Sequence, residues 1–201
     1  MSSSSHQAIR AKVAALLLVL FVVVPARGQA EPRDVAAGSA GDLSKVDIDN
    51  FGRVNSNYFR GAEPDDEQYA NLAALGIKTV IDLRSHDFDR GDRVLVERAG
   101  MNYVQIPMTT HEPPTGAVIE QFLRIVDDPA KQPVYVHCVG GRHRTGVMTA
   151  VYRMTEEGWT ADRAFKEMKA YKFGADFLHP EFKKFVYSYH PNPSRVAKIA
   201  E

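Results

Sequence analysis

The 201-residue chain carries 25 basic and 25 acidic residues, is 44% hydrophobic, and holds 14 glycines, 11 prolines and one cysteine. That length and composition suit one folded domain and exclude a collagen-like or disordered chain. The balanced charge excludes a basic nucleic-acid-binding chain, and the lone Cys138 excludes an intrachain disulfide or a cysteine metal cluster.

In chain order, the N-terminus comes first, and residues 1–30 read as a secretory signal peptide. Arg10 and Lys12 precede an unbroken apolar run of 12 residues, 13–24. A bilayer-spanning helix needs about 20 such residues, whereas the core of a signal peptide needs about 7–15. Small residues follow and offer cleavage after Gly28 or Ala30, with no cysteine there to carry a lipid. The expectation is export to a periplasm or to the cell exterior, with no stable membrane span once the signal is removed. An uncleaved membrane anchor is the alternative. Beyond residue 30 the chain holds 22 bases against 25 acids, mildly acidic and without a nucleic-acid footprint.

Residues 31–50 are small and polar and read as a flexible lead-in, 51–191 as the folded domain, and 192–201 as a C-terminal tail. Within the domain, Asp65, Asp66 and Glu67 suit the start of a helix over about 65–75, which Gly76 ends. Residues 77–83 are apolar and β-branched and read as a strand, as do 102–106 and 133–137. Ile119, Phe122, Leu123 and Val126 recur at helical spacing behind a Thr115 cap, with Pro129 beyond. Ala161, Ala164, Phe165 and Met168 repeat that spacing, and so do Phe182, Phe185, Val186 and Tyr189. Strands alternating with helices predict a single α/β domain: a central, mostly parallel sheet of about four or five strands flanked by helices.

One segment carries chemistry. The strand ending at His137 runs into Cys138, followed by Val139, Gly140, Gly141, Arg142 and His143; Arg144-Thr145-Gly146 then opens a helix with Val147, Val151 and Met154 as its buried stripe. Glycines let the backbone curl so that successive N–H groups line an anion nest, and the helix adds its positive end. Arg144 can offer a planar fork to two phosphate oxygens. The same positive surroundings favour the thiolate of Cys138 and make it a nucleophile. The Thr145 hydroxyl is placed to bond the sulfur, and His137 to orient the loop. His137 is not needed as a base.

His137-Cys138, five intervening residues and Arg144-Thr145-Gly146 resemble the signature of cysteine-dependent protein tyrosine and dual-specificity phosphatases. Residues 58–64 and 75–84 are similar to the opening of the compact, atypical dual-specificity members of bacteria, plants and fungi, so the likeness covers about 51–191. It implies a protein tyrosine phosphatase-like fold, Cys138 as nucleophile, Arg144 as phosphate clamp, Thr145 as leaving-group helper, and 139–143 as the phosphate loop. Attack of sulfur on phosphorus gives a thiophosphoryl enzyme that water hydrolyses. Arg142 and His143 resemble the loop of members that hydrolyse inositol polyphosphates or pyrophosphates, and a cation at 142 suits a substrate with several phosphates. The substrate is therefore a phosphorylated protein or a small phosphorylated molecule. Neither metal nor cofactor is implied, because Arg144 and the amides supply the positive charge.

The general acid departs from the pattern. Family members usually carry an aspartate on a loop before the cysteine, yet no aspartate stands between Asp92 and Asp127. The loop at 108–115 offers Glu112, with His111 behind it. Asp82, Asp87 and Asp89 are outside candidates at a neighbouring strand end, where Arg84 and His86 also lie. Arg84 is expected to pair with Asp87. Two other functions compete: a phosphate-binding module that lacks the acid, and a rhodanese-type sulfur transferase, which also curls a loop around one cysteine.

Overall fold

The sheet is assembled around its most apolar strand. The computed structural model describes residues 42–85 and 91–193. The expected signal segment, the start of the lead-in, His86, Asp87, Asp89 and the end of the tail lie outside the described residues. Among the described residues the strands are β1 (Gly52–Arg53), β2 (Tyr58–Gly61), β3 (Thr79–Asp82), β4 (Asn102–Gln105) and β5 (Val134–His137), in the spatial order β1-β2-β5-β3-β4. Only β1 runs antiparallel to its neighbour. This is the expected α/β domain with a mostly parallel sheet.

All four residues of β5 are buried, as a central parallel strand covered on both faces requires. Its side chains alternate between two cores. Val134 and Val136 pack with Tyr58, Ile81, Phe122 and Met148 on one face, while Tyr135 packs with Phe59, Tyr69, Leu72 and Val80 on the other. Each fully buried aliphatic or aromatic side chain contributes about 1.5–3 kcal/mol.

The helices are α1 (Gln68–Ala74), α2 (Asp92–Arg98), α3 (Gly116–Val126), α4 (Arg144–Glu156), α5 (Ala161–Ala170) and α6 (Pro180–Ser188), with 3-10 turns at Leu43–Lys45 and Asp176–Leu178. α1 begins after the three acids expected to open it. It ends as expected at Gly76, whose φ of +87° allows its N–H to reach Ala73 O and the Ile77 N–H to reach Leu72 O. Thr115 caps α3 by accepting from the Val118 N–H at 3.3 Å, and Ile119, Phe122, Leu123 and Val126 are all buried. Thr160 caps α5 in the same way.

Three differences from the sequence reading have physical causes. β1 and β2 are too short to show a period, and α2 spans only seven residues. α4 has no stripe: every residue from Arg144 to Thr155 is buried, because the sheet, α3, α5 and α6 pack around it. The lead-in is shorter than expected, since Ile48 joins a core and the Asn50 side chain holds two backbone carbonyls. No helix among the described residues is long and apolar enough to cross a membrane.

Candidate active site

β5 delivers Cys138 to the carboxyl edge of the sheet, and α4 starts six residues later. In the intervening loop each carbonyl from 139 to 141 has an outside donor. Val139 O accepts from the Glu63 N–H at 3.0 Å, Gly140 O from Asn50 Nδ2 at 3.2 Å, and Gly141 O from Arg60 Nη2 at 2.7 Å. In a trans peptide the N–H points opposite to the preceding C=O. The amides of Gly140, Gly141 and Arg142 therefore turn away from those anchors.

Gly141 is obligatory here. Its φ is +64°, and an added Cβ would lie 2.4–2.7 Å from the backbone of Gly61 and Ala62. The loop is thus seated directly against the end of β2.

Cys138 and Arg144 line one open cavity of 850 Å³ with Ser85, Met108, Thr109, Thr110, Val139, Gly140, Arg142 and His143. Arg144 is buried, and its Nη1 donates to Met108 O at 3.3 Å and, at the edge of hydrogen-bond range, to Leu83 O at 3.5 Å. Arg142 is half-exposed, 3.5 Å from Asp49. His143 donates from Nε2 to Phe173 O at 3.0 Å, and burial lowers its pKa, so its imidazole is held neutral. His137 is completely buried, with Nδ1 3.4 Å from the Cys138 carbonyl and Nε2 unpartnered; burial depresses its pKa too. The Thr145 hydroxyl is buried and has no hydrogen-bond partner.

The acid candidates are dispersed. Asp82 is fully buried, and Arg84 grips both its oxygens at 2.9 and 3.0 Å through Nε while Tyr103 donates to it at 2.8 Å. Burial alone would raise its pKa, but the Arg84 hydrogen bonds hold it below the usual carboxylate value, so it has no proton to give. Arg84 also meets Asp92 and, at 2.5 Å, Glu63, a structural pairing; the expected partner Asp87 lies outside the described residues. Glu112 is exposed and touches Thr109, bordering a separate 100 Å³ recess behind the loop rather than the Cys138 cavity. His111 stacks on His179. The loop itself is in place, since Met108, Thr109 and Thr110 form one wall of the cavity.

Sequence reading missed Arg60 and Asn50 as loop anchors. Arg60 is completely buried with Nε and Nη1 unpartnered, and its guanidinium lies 3.9 Å over the Tyr171 ring. No local signal marked it: Arg60 sits in a four-residue strand too short to show a period, and its burial emerges only in the fold.

Comparison with known proteins agrees with this geometry. Residues 42–184 match the family described as DSP-PTPase phosphatase fused to NAD+ kinase. The dual specificity protein phosphatase TpbA of Pseudomonas aeruginosa (strain UCBPP-PA14) is 30% identical over 145 residues, 72% of this chain and 63% of that protein. The chain thus spans somewhat under two thirds of that relative. The inositol diphosphatase SIW14 of Saccharomyces cerevisiae is 25% identical over 130 residues, 62% of this chain and 46% of that one. A crystal structure of P. aeruginosa TpbA superposes with a TM-score of 0.63 at 25% identity, covering 77% of this chain and 92% of that chain. The core catalytic domain of SIW14, at 24% identity and a TM-score of 0.65, covers 76% and 91% and shares the fold.

Proposed function

The chain belongs to the family of DSP-PTPase phosphatases fused to NAD+ kinase, and from that premise we propose that it is a cysteine-dependent phosphatase of the dual-specificity type, acting on phosphomonoesters. The observation that carries this reading is the outward anchoring of three consecutive loop carbonyls, which leaves their amides facing away between Cys138 and Arg144. A phosphoryl dianion seated there meets backbone N–H donors, the α4 terminus and the Arg144 fork. These groups counter the charge on the equatorial oxygens, and the anchors preorganise them.

Cys138 Sγ attacks phosphorus in line with the leaving oxygen, and the P–O bond breaks as the S–P bond forms. Glu112 delivers the proton to that oxygen once the 108–115 loop swings it over the cavity. Water then attacks the thiophosphoryl group, and the Thr145 hydroxyl turns to the departing sulfur. His137 stays neutral and braces the Cys138 carbonyl.

A second substrate reading has its own support. Arg142 stands at the cavity wall in an exposed, weak pair with Asp49, free to meet a further phosphate, and SIW14 is named an inositol diphosphatase. The charged lead at Arg10 and Lys12 and the apolar run behind it support export to a periplasm or the exterior.

The test is metal-free phosphate release from para-nitrophenyl phosphate, phosphotyrosine peptide and an inositol pyrophosphate, beside Cys138→Ser. Turnover that vanishes in the variant upholds the reading. A wild type that binds phosphate but turns over none of the three makes it a binding module, and persulfide formation without phosphate release makes it a sulfur transferase.

A further inference from the structure

We infer that His111, His179 and Glu181 form a site for a zinc-class divalent cation that fastens the 108–115 loop to the start of α6. One donor atom from each residue lies within 4.8 Å of the other two. His179 Nδ1 and Glu181 Oε1 are 3.3 Å apart. Two donors about 2.05 Å from one tetrahedral zinc ion stand about 3.3 Å apart, so this pair already has the spacing of adjacent ligands. The His111 ring stacks on His179 with centroids 5.8 Å apart and needs only a side-chain adjustment to supply the third. Two imidazoles and one carboxylate suit zinc, cobalt or nickel, not calcium or magnesium, and leave a position for water.

The pair on α6 is preorganised. His179 is half-buried, its ring parallel to Phe182 at 5.8 Å and against His143 at 3.8 Å. His143 itself is engaged by Phe173 O, so it buttresses His179 from the cavity side. Fixing the orientation of a ligand in this way lowers the cost of metal capture. His111 comes from the 108–115 loop and is exposed. A cation at this point therefore ties together two chain segments whose rings already stack, His111 on His179.

The site takes no part in the chemistry, but it acts on the loop that does. His111 adjoins Glu112, and a loop tied to α6 keeps Glu112 at its present place outside the cavity. This consequence rests on the phosphatase reading; the site does not. Zinc then slows substrates that need their leaving oxygen protonated and spares activated aryl esters.

Binding is tested by titrating zinc and cobalt into the full chain carrying Cys138→Ser, which removes the thiolate as a competing ligand. One equivalent is expected, with a cobalt visible spectrum free of thiolate charge transfer. His179→Asn and Glu181→Gln in that background should each weaken binding about tenfold or more. Affinities within twofold of the parent, or metal bound by the wild type and lost in Cys138→Ser, overturn the site. With Cys138 intact, Glu181→Gln should keep full metal-free turnover of phosphotyrosine and lose the zinc inhibition. Equal inhibition of both proteins overturns the loop clamp. A chain that turns over nothing yet binds one ion sinks the phosphatase reading and upholds the site.

Discussion

Two loops face each other across the Cys138 cavity, and they are built in opposite ways. The 138–143 loop has three carbonyls anchored, a glycine pressed against β2, and buried Arg60 and Arg144 at its edges. The 108–115 loop is tied at its ends, where Met108 is buried and bonded to Leu83 and Arg144 and Thr115 caps α3, but 109–113 between them is exposed, with the Thr109–Glu112 contact and a ring stack on His179. On the proposed reading, the difference teaches that anion binding is built into the anchored part of the fold, whereas proton delivery falls to the exposed wall. Variants on the two sides should accordingly differ in which kinetic quantity they change.

The largest effect is expected from Cys138→Ser, which should remove turnover by on the order of 10⁴-fold or more while phosphate still binds, as read by kinetics and calorimetry. Retained turnover would end the cysteine mechanism. Gly141→Ala adds left-handed strain and a Cβ against the Gly61 carbonyl, so kcat/KM should fall about 100-fold and Tm by several degrees. An unchanged Tm would show that the loop is not pressed on β2 as described.

Glu112→Gln should sharpen the contrast. Its loss in kcat should reach about 100-fold on phenyl phosphate and be slight on para-nitrophenyl phosphate, with Tm unmoved. Equal losses on both esters would move the acid elsewhere. Arg60→Met should lower kcat/KM about tenfold without a matching loss of stability, because a buried guanidinium with two unpartnered nitrogens is costly to keep. A drop in Tm without a change in kcat/KM would make Arg60 structural only.

The smallest effect is on stability against pH. Burial holds the folded-state pKa values of His137 and His143 below the ordinary 6.5, so the unfolded chain binds more protons as pH falls through that value. Stability should therefore be fully present above about pH 6.5 and decline from there down to the depressed folded values. Asp82 acts in the same direction at lower pH, since its carboxyl lies below the usual 3.8. His137→Gln should flatten the Tm profile in the upper window, and a profile unchanged by that substitution would contradict the assignment.

What the sequence made legible follows the same division. The strand into Cys138, the glycine loop, Arg144 and the Thr115 cap are local patterns, and each could be read from a few consecutive residues. Arg60 and Asn50 could not, because they act on residues 81 and 90 positions away, across the sheet edge. Asp82 stood among the acid candidates because exposure cannot be judged from one strand; only Arg84, Tyr103 and Asp92, folded around it, exclude it. α4 hid its orientation by having none, since a helix buried on all sides leaves no amphipathic stripe.

That burial has a consequence for how such a protein can change. From Arg144 to Thr155 no residue of α4 faces water, so nearly any substitution there disturbs a core as well as the site. New substrate preferences must therefore be written at the rim, in Ser85, the 108–115 loop and the exposed Val139 and Arg142. A panel of relatives with different substrates should share the keel and differ along the gunwale, and exchanging rim segments between them should transfer preference while leaving the thermal midpoint in place.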